Sequence, residues 1–227
     1  MQFHDRREAG KALAERLAER QRAGGLPDVL VLGLPRGGLP VADEVARALD
    51  APLDVVVARK IGAPFQPELG VGAVAGDAPP LYDHTLLSQL GLTEEELRPL
   101  AERERAELRR REELYRQGRH GPAVAGRSAV LIDDGVATGA TARAALRAVR
   151  QSAPAGITLA APVCSPQAAR MLEPEADEIL CLQRPAAFGS VGFWYQNFNQ
   201  LTDEEVLDIL REAGGRTRTT GSPGGRA

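Results

Sequence analysis

The sequence predicts an α/β fold, an open parallel sheet flanked by helices, and three observations carry that expectation. Short, nearly continuous apolar runs at Asp28–Leu34, Leu53–Ala58, Ser128–Ile132, Ile157–Cys164 and Glu178–Leu182 read as strands buried on both faces. Helical stretches separate most of them, the alternation that produces parallel strands with right-handed crossovers. Residues 62–126 interrupt that alternation and read as an inserted arm.

Taken in order, Asp5–Arg22 is a helix: Asp5 can cap it with Glu8 three positions on, and Ala9, Leu13 and Leu17 make one apolar stripe. The first strand, Asp28–Leu34, ends in Pro35-Arg36-Gly37-Gly38, and a helix follows from about Pro40 to Leu49 with proline near its first turn. Leu53–Ala58 is the second strand. Within the arm, Glu68–Gly76 alternates apolar residues with glycine and is expected to form a mobile hairpin. Thr93 and Glu96 form a capping box ahead of a long helix that carries Leu97, Leu100, Leu108 and Leu114 on one side. Its dense Glu and Arg read as a solvated face.

The alternation then resumes with strand Ser128–Ile132, loop Asp133–Thr141, helix Ala142–Gln151, strand Ile157–Cys164, helix Pro166–Leu172 and strand Glu178–Leu182. Leu201–Glu212 is a closing helix capped by Thr202 or Asp203, and 214–227, rich in Gly, Arg, Thr and Ser, reads as a flexible tail. The expected organisation is one domain over 1–213, with its core at 24–61 and 127–182.

Bulk properties exclude several classes. The chain has 227 residues, 43% of them hydrophobic, which suffices for a core of its own. A net charge of −3 without a basic domain argues against a nucleic-acid partner. No apolar run approaches the roughly 20 residues that span a bilayer, and no signal peptide opens the sequence, so a cytoplasmic protein without a membrane partner is expected. Cys164 and Cys181 lie in apolar runs and read as small core residues rather than a disulfide. Lys11 and Lys60 are the only lysines, and Asn occurs only at 197 and 199, a composition that suits a thermophile or a GC-rich genome.

The chemistry concentrates after Ile132. An apolar strand ends in Asp133 and Asp134, a loop follows with Gly135, Val136, Ala137, Thr138, Gly139, Ala140 and Thr141, and a helix begins at once. Ligands of open parallel sheets bind beyond the carboxyl ends of the strands. Helix-start N–H groups favour a phosphate, glycines let it approach, and threonine hydroxyls add donors. A P-loop would supply a lysine, and none is present. Two carboxylates beside a phosphate cradle would repel the anion unless they face sugar hydroxyls, so Asp133 and Asp134 read as acceptors for a ribose 2′,3′-diol.

The segment Val130–Thr141 resembles the phosphoribosyl pyrophosphate (PRPP) signature of type I phosphoribosyltransferases: apolar residues, two acids, a short variable stretch, then Thr-Gly-x-Thr. The resemblance covers most of residues 1–200. It implies the type I phosphoribosyltransferase fold and transfer of a 5-phosphoribosyl group to a nitrogenous acceptor such as a nucleobase, with pyrophosphate released. Pro35, Arg36, Gly37 and Gly38 would then be the pyrophosphate loop, and Arg59 and Lys60 the basic position beside it. With Asp133 and Asp134, Arg36 and Lys60 would be the catalytic groups. Mg²⁺ would arrive on PRPP, touched by Asp133 and Asp134 through water rather than ligated directly.

The arm would include a loop that closes over the site, with Gly70–Gly76 its mobile part. Residues 183–200 would form a hood whose Phe193, Trp194, Tyr195 and Phe198 either stack a base or make a small accessory core. One position departs from the pattern. Ala137 stands where 6-oxopurine enzymes place an acid, which disfavours hypoxanthine or guanine; adenine-type relatives draw an acid from the closing loop, and Glu68 is the analogous residue or an ordinary solvated one. The long charged helix suits packing against a second subunit. The alternative function is a PRPP-sensing regulator that binds RNA or DNA, through a patch of Arg103, Arg105, Arg109, Arg110 and Arg111, instead of catalysing transfer.

Overall fold

A computed structural model describes residues 2–118 and 121–219. The first half of the chain forms α1 (Arg6–Arg22), β1 (Val29–Gly33), α2 (Gly38–Ala48), β2 (Leu53–Val55), β3 (Ala58–Ala63), β4 (Gln66–Ala75), β5 (Leu81–Tyr82), α3 (His84–Leu90) and α4 (Glu94–Arg116). The second half forms β6 (Ser128–Ile132), α5 (Ala140–Gln151), β7 (Gly156–Val163), α6 (Pro166–Leu172), β8 (Glu178–Gln183), a 3₁₀ turn at Val191–Trp194 and α7 (Asp203–Thr219). A five-stranded parallel sheet, in the order β2-β1-β6-β7-β8, is the centre of the fold.

Strand alternation divides the central core into two layers. Val29, Val31, Val130, Ile132 and Ala160 pack with α1 and α2, while Leu30, Leu32, Ala129, Leu131, Leu159 and Ala161 pack with α5 and α6. Each Val, Leu or Ile among them contributes on the order of 1.5–3 kcal/mol by leaving water, and each alanine less. This double burial is why β1 and β6 read as unbroken apolar runs. The expected caps form as well: Asp5 accepts from the Glu8 amide, and Thr93 and Glu96 make the reciprocal box that starts α4.

The arm differs from the expectation. The run 53–58 breaks in two, because β2 ends its pairing with β1 at Val55 and β3 then enters a separate antiparallel sheet, β3-β4-β5. The expected hairpin forms, but as paired strand rather than loop: residues 70–75 belong to β4, antiparallel to β3, with Val71, Ala73, Val74 and Ala75 buried. Their alternation with glycine reflects tight packing; at Gly72 a Cβ would come within 2.7 Å of the Leu81 carbonyl. The irregular part of the hairpin is its tip, where the register shifts around Gly62 and Phe65 is 63% exposed.

Two further differences concern covalent and terminal structure. Cys164 and Cys181 form a disulfide, with Cα atoms 6.1 Å apart. The β7–β8 register, Ala161 with Cys181 and Val163 with Gln183, places the two thiols diagonally across neighbouring strands. Helix α7 runs to Thr219, well past Glu212, and covers part of the segment expected to be a tail; 220–227 lie outside the described residues. Asp43 of α2, fully buried, draws α1 and α7 together through ion pairs with Arg7, Arg47 and Arg216 at 3.6, 3.0 and 2.6 Å.

Candidate functional site

Strands β1 and β6 lie side by side, but β1 leads through α2 to β2 on one flank and β6 leads through α5 to β7 on the other. The loops leaving them therefore diverge, which opens a crevice at the carboxyl edge of the sheet. Both loops singled out in the sequence, 35–38 and 133–141, leave at this point, the second passing into α5 at Ala140.

The second loop is pinned from below and open above. The amides of Asp133 and Val136 donate to the carbonyls of Ala160 and Val163, and the Ser165 hydroxyl donates to the Ala137 carbonyl at 2.6 Å. Ala137 and Thr138 are exposed at the crest. Gly139, at φ +80°, then starts α5, and a Cβ there would lie 2.5 Å from Met171 of α6, so this position requires glycine on two counts. The first amides of a helix have no partner within it, and α5 offers them at this crest.

The two loops touch through Asp134. A Cβ on Gly37 would sit 1.9 Å from an Asp134 carboxylate oxygen, so glycine is required for the approach. The Pro35–Arg36 peptide is cis. Asp133 is partly buried and its Oδ1 accepts the Asp134 amide at 2.9 Å. Burial, followed by the charge of Asp134, pushes Asp133 well above the usual carboxylate range. Burial also raises Asp134, opposed by the charge and hydrogen bond of Arg6.

Arg6 is the residue that sequence reasoning missed. Its Nε donates to Asp134 Oδ2 at 2.8 Å, its Nη1 donates to the Asn199 carbonyl at 2.8 Å, and its guanidinium lies 3.9 Å from the centre of the Phe198 ring. No local motif marks it; it is the first residue of α1, brought to the crevice by pairing of residues 3–4 with 194–197. Asp134 is consequently turned toward Gly37 and Arg6 and is only 9% exposed, whereas Asp133 retains more access to the crevice.

The aromatic segment divides into two roles. Tyr195 is buried, stacks on Phe198 with centroids 5.1 Å apart, and donates its hydroxyl to the Asp134 carbonyl; it braces the loop. Trp194 is tied to the Phe188 carbonyl. Phe193, at 62% exposure, is the open ring of the segment, whereas Phe198, at 37%, is flanked by Tyr195 and the Arg6 guanidinium. Arg36 is half-buried in the first loop. Arg59 pairs with Glu104 of α4 at 2.7 Å. Strand alternation sends Lys60 to the opposite face, where its stem crosses Gly70. The Glu68 backbone belongs to β4, and its side chain lies outside the described residues.

Among the described residues no group of three or more His, Cys, Asp and Glu side chains is placed to hold a metal, and no helix is long and apolar enough to cross a membrane.

Comparison with known proteins agrees with this geometry. Residues 2–197 match the family model of the phosphoribosyl transferase domain. Two Mycobacterium tuberculosis proteins, from strains CDC 1551 and H37Rv and provisionally named phosphoribosyl transferases, are each 44% identical over 211 residues, which is 93% of this chain and 47% of theirs. The chain thus spans about half the length of the curated relatives it matches. The crystal structure of TT1426 from Thermus thermophilus is similar with a TM-score of 0.78 at 46% identity, over 93% of this chain and 99% of that one. A domain match over nearly the whole chain, on a parallel sheet whose switch point carries paired acids and a helix-start loop, shows that the chain belongs to the phosphoribosyltransferase family.

Proposed function

We propose that the chain binds PRPP and transfers its 5-phosphoribosyl group to a nitrogenous acceptor, with a nucleobase the class that suits the exposed Phe193. The observation that carries this reading is the contact of Asp134 with Gly37, which joins a phosphate-type loop and a second glycine loop around one crevice. A 5′-phosphate would rest on residues 135–141, the diphosphate on 35–38, and the ribose diol on Asp133, with Asp134 behind it.

In the reaction an acceptor nitrogen forms a bond to C1′ as the C1′–O bond to pyrophosphate breaks, and the bonding pair leaves with pyrophosphate. Positive charge develops on the ribose ring and negative charge on the leaving group. Arg36 and Lys60 would balance the latter, and the buried acids the former. Arg59, held by Glu104, is given no part in this scheme. The donor set fits Mg²⁺ carried by the substrate: Asp133 offers a hard oxygen at the crevice, which suits water-mediated contact with an ion held mostly by diphosphate oxygens. When bound, that ion neutralises diphosphate charge.

The test is pyrophosphate release over a panel of nucleobases, together with thermal melting in Mg²⁺ and PRPP. Release with one base establishes transfer and names the acceptor. A melting shift without release favours the sensing regulator, and no shift at millimolar PRPP overturns the reading. Asp134→Asn is expected to remove most of the shift.

A further inference from the structure

The pairing of Arg6 with Asp134 has no counterpart in the motif. The cation comes from α1, about 130 residues before the acid it holds, and the same guanidinium grips the hood at Asn199 and Phe198. Its side chain is 11% exposed and that of Asp134 13%, so the pair sits out of bulk water, where charge attraction and geometry count for more than at a surface. Neighbouring contacts fix the arginine from both ends of the chain: Phe3 pairs with Tyr195, Gln196 donates to the Phe3 carbonyl, and Asn197 donates to the His4 carbonyl.

We infer that Arg6 is a positioning residue of the sugar-phosphate site, one that sets the diol-side acid and the acceptor-side aromatic wall together. The inference rests on the functional reading above. A guanidinium can do this because its fork directs separate N–H groups at a carboxylate and a carbonyl while its flat face lies on an aromatic ring. With one Asp134 oxygen held by Arg6 and one Asp133 oxygen held by the Asp134 amide, Asp133 is presented to a diol in one arrangement with Asp134 locked behind it. Ligand contact at the Asp134 carboxylate is thereby transmitted to Phe198 and Asn199 through Arg6, beside the Tyr195 hydroxyl that braces the Asp134 carbonyl. Arg7, the next residue on α1, faces Asp43 and Glu44 instead and serves as a control.

The chain's single tryptophan, Trp194, lies in the hood and gives a readout that stability alone does not move. The experiment titrates Mg²⁺-PRPP into wild type, Arg6→Met, Arg6→Lys, Arg7→Met, Asp134→Asn and the Arg6→Met/Asp134→Asn double variant. Calorimetry measures affinity while Trp194 emission is followed in parallel. Wild type and Arg7→Met are expected to bind with an emission change. Arg6→Met should bind at least tenfold more weakly and without the emission change, and Arg6→Lys, which keeps the charge but not the fork, should recover part of the affinity. Added to Asp134→Asn, Arg6→Met should change affinity less than twofold.

Wild-type affinity and emission response in Arg6→Met, or fully additive effects in the double variant, would overturn the inference alone. If Arg6→Met does not fold, Arg6→Lys decides, and a wild-type affinity and emission response in it has the same consequence. Absence of PRPP binding by the wild type overturns the functional reading and this inference with it.

Discussion

The hydroxyl of Tyr195 donates a 2.6 Å hydrogen bond to the main-chain carbonyl of Asp134. A hood side chain thus braces the turn that presents the acids, from a ring otherwise buried between Phe3 and Phe198. Tyr195→Phe keeps that ring and leaves the carbonyl without its donor, which costs about 1–3 kcal/mol for a buried group. Urea unfolding should show the loss, with an unchanged m-value.

The paired acids should oppose stability at neutral pH. Asp133 has a folded-state pKa raised well above 3.8 by burial and by Asp134. A raised carboxyl favours the folded state only when protonated, so its penalty is fully present above the folded pKa and disappears as pH falls through that value toward 3.8. Every tenfold weakening of the acid on folding corresponds to about 1.4 kcal/mol. Ligand-free Asp133→Asn should therefore melt higher than wild type at pH 7, with the gap closing as pH falls toward 4. A gap that is constant with pH contradicts the assignment.

Asp43 should be the costliest acid to remove outside the crevice. It is 0% exposed and holds Arg7, Arg47 and Arg216 from three helices. A buried pair broken from one side costs about 3–5 kcal/mol when the surviving charge stays buried; these arginines are 33–50% exposed and can turn to water, so a loss of about 1–3 kcal/mol is expected. Chemical denaturation of Asp43→Ala measures this, and a loss below about 1 kcal/mol, the range of an exposed ion pair, would show that the arginines find other partners.

The Cys164–Cys181 bond closes a short loop, with a sequence separation of 17, and ties edge strand β8 to the end of β7 beside Val136. Loop-closure entropy puts its contribution at about 3 kcal/mol. Reduction under mild conditions, or Cys181→Ala, should lower the melting temperature. Equal melting of oxidised and reduced protein would show that the bond adds nothing to the fold.

Legibility tracked the range of the interactions. The parallel sheet and the two crevice loops could be read locally, because double burial makes apolar runs and because acids, glycines and threonines lie together in one segment, 133–141. Arg6 could not: an arginine opening an amphipathic helix looks like any solvated one until residues 194–199 fold back on it. Cys164 and Cys181 became partners only through a strand register, and residues 70–75 became a strand only through the β3 pairing that glycine alternation left ambiguous. Tyr195 was singled out for its ring, whereas its hydroxyl makes the contact with the acid loop.

The zip between residues 3–4 and 194–197 joins positions up to 193 apart. On a ribosome Arg6 emerges well before the segment that seats it. Sheet packing can begin long before then, yet the crevice keeps one wall missing until synthesis has passed residue 199. Chains that stop before residue 199 therefore lack that wall however much of their core has formed.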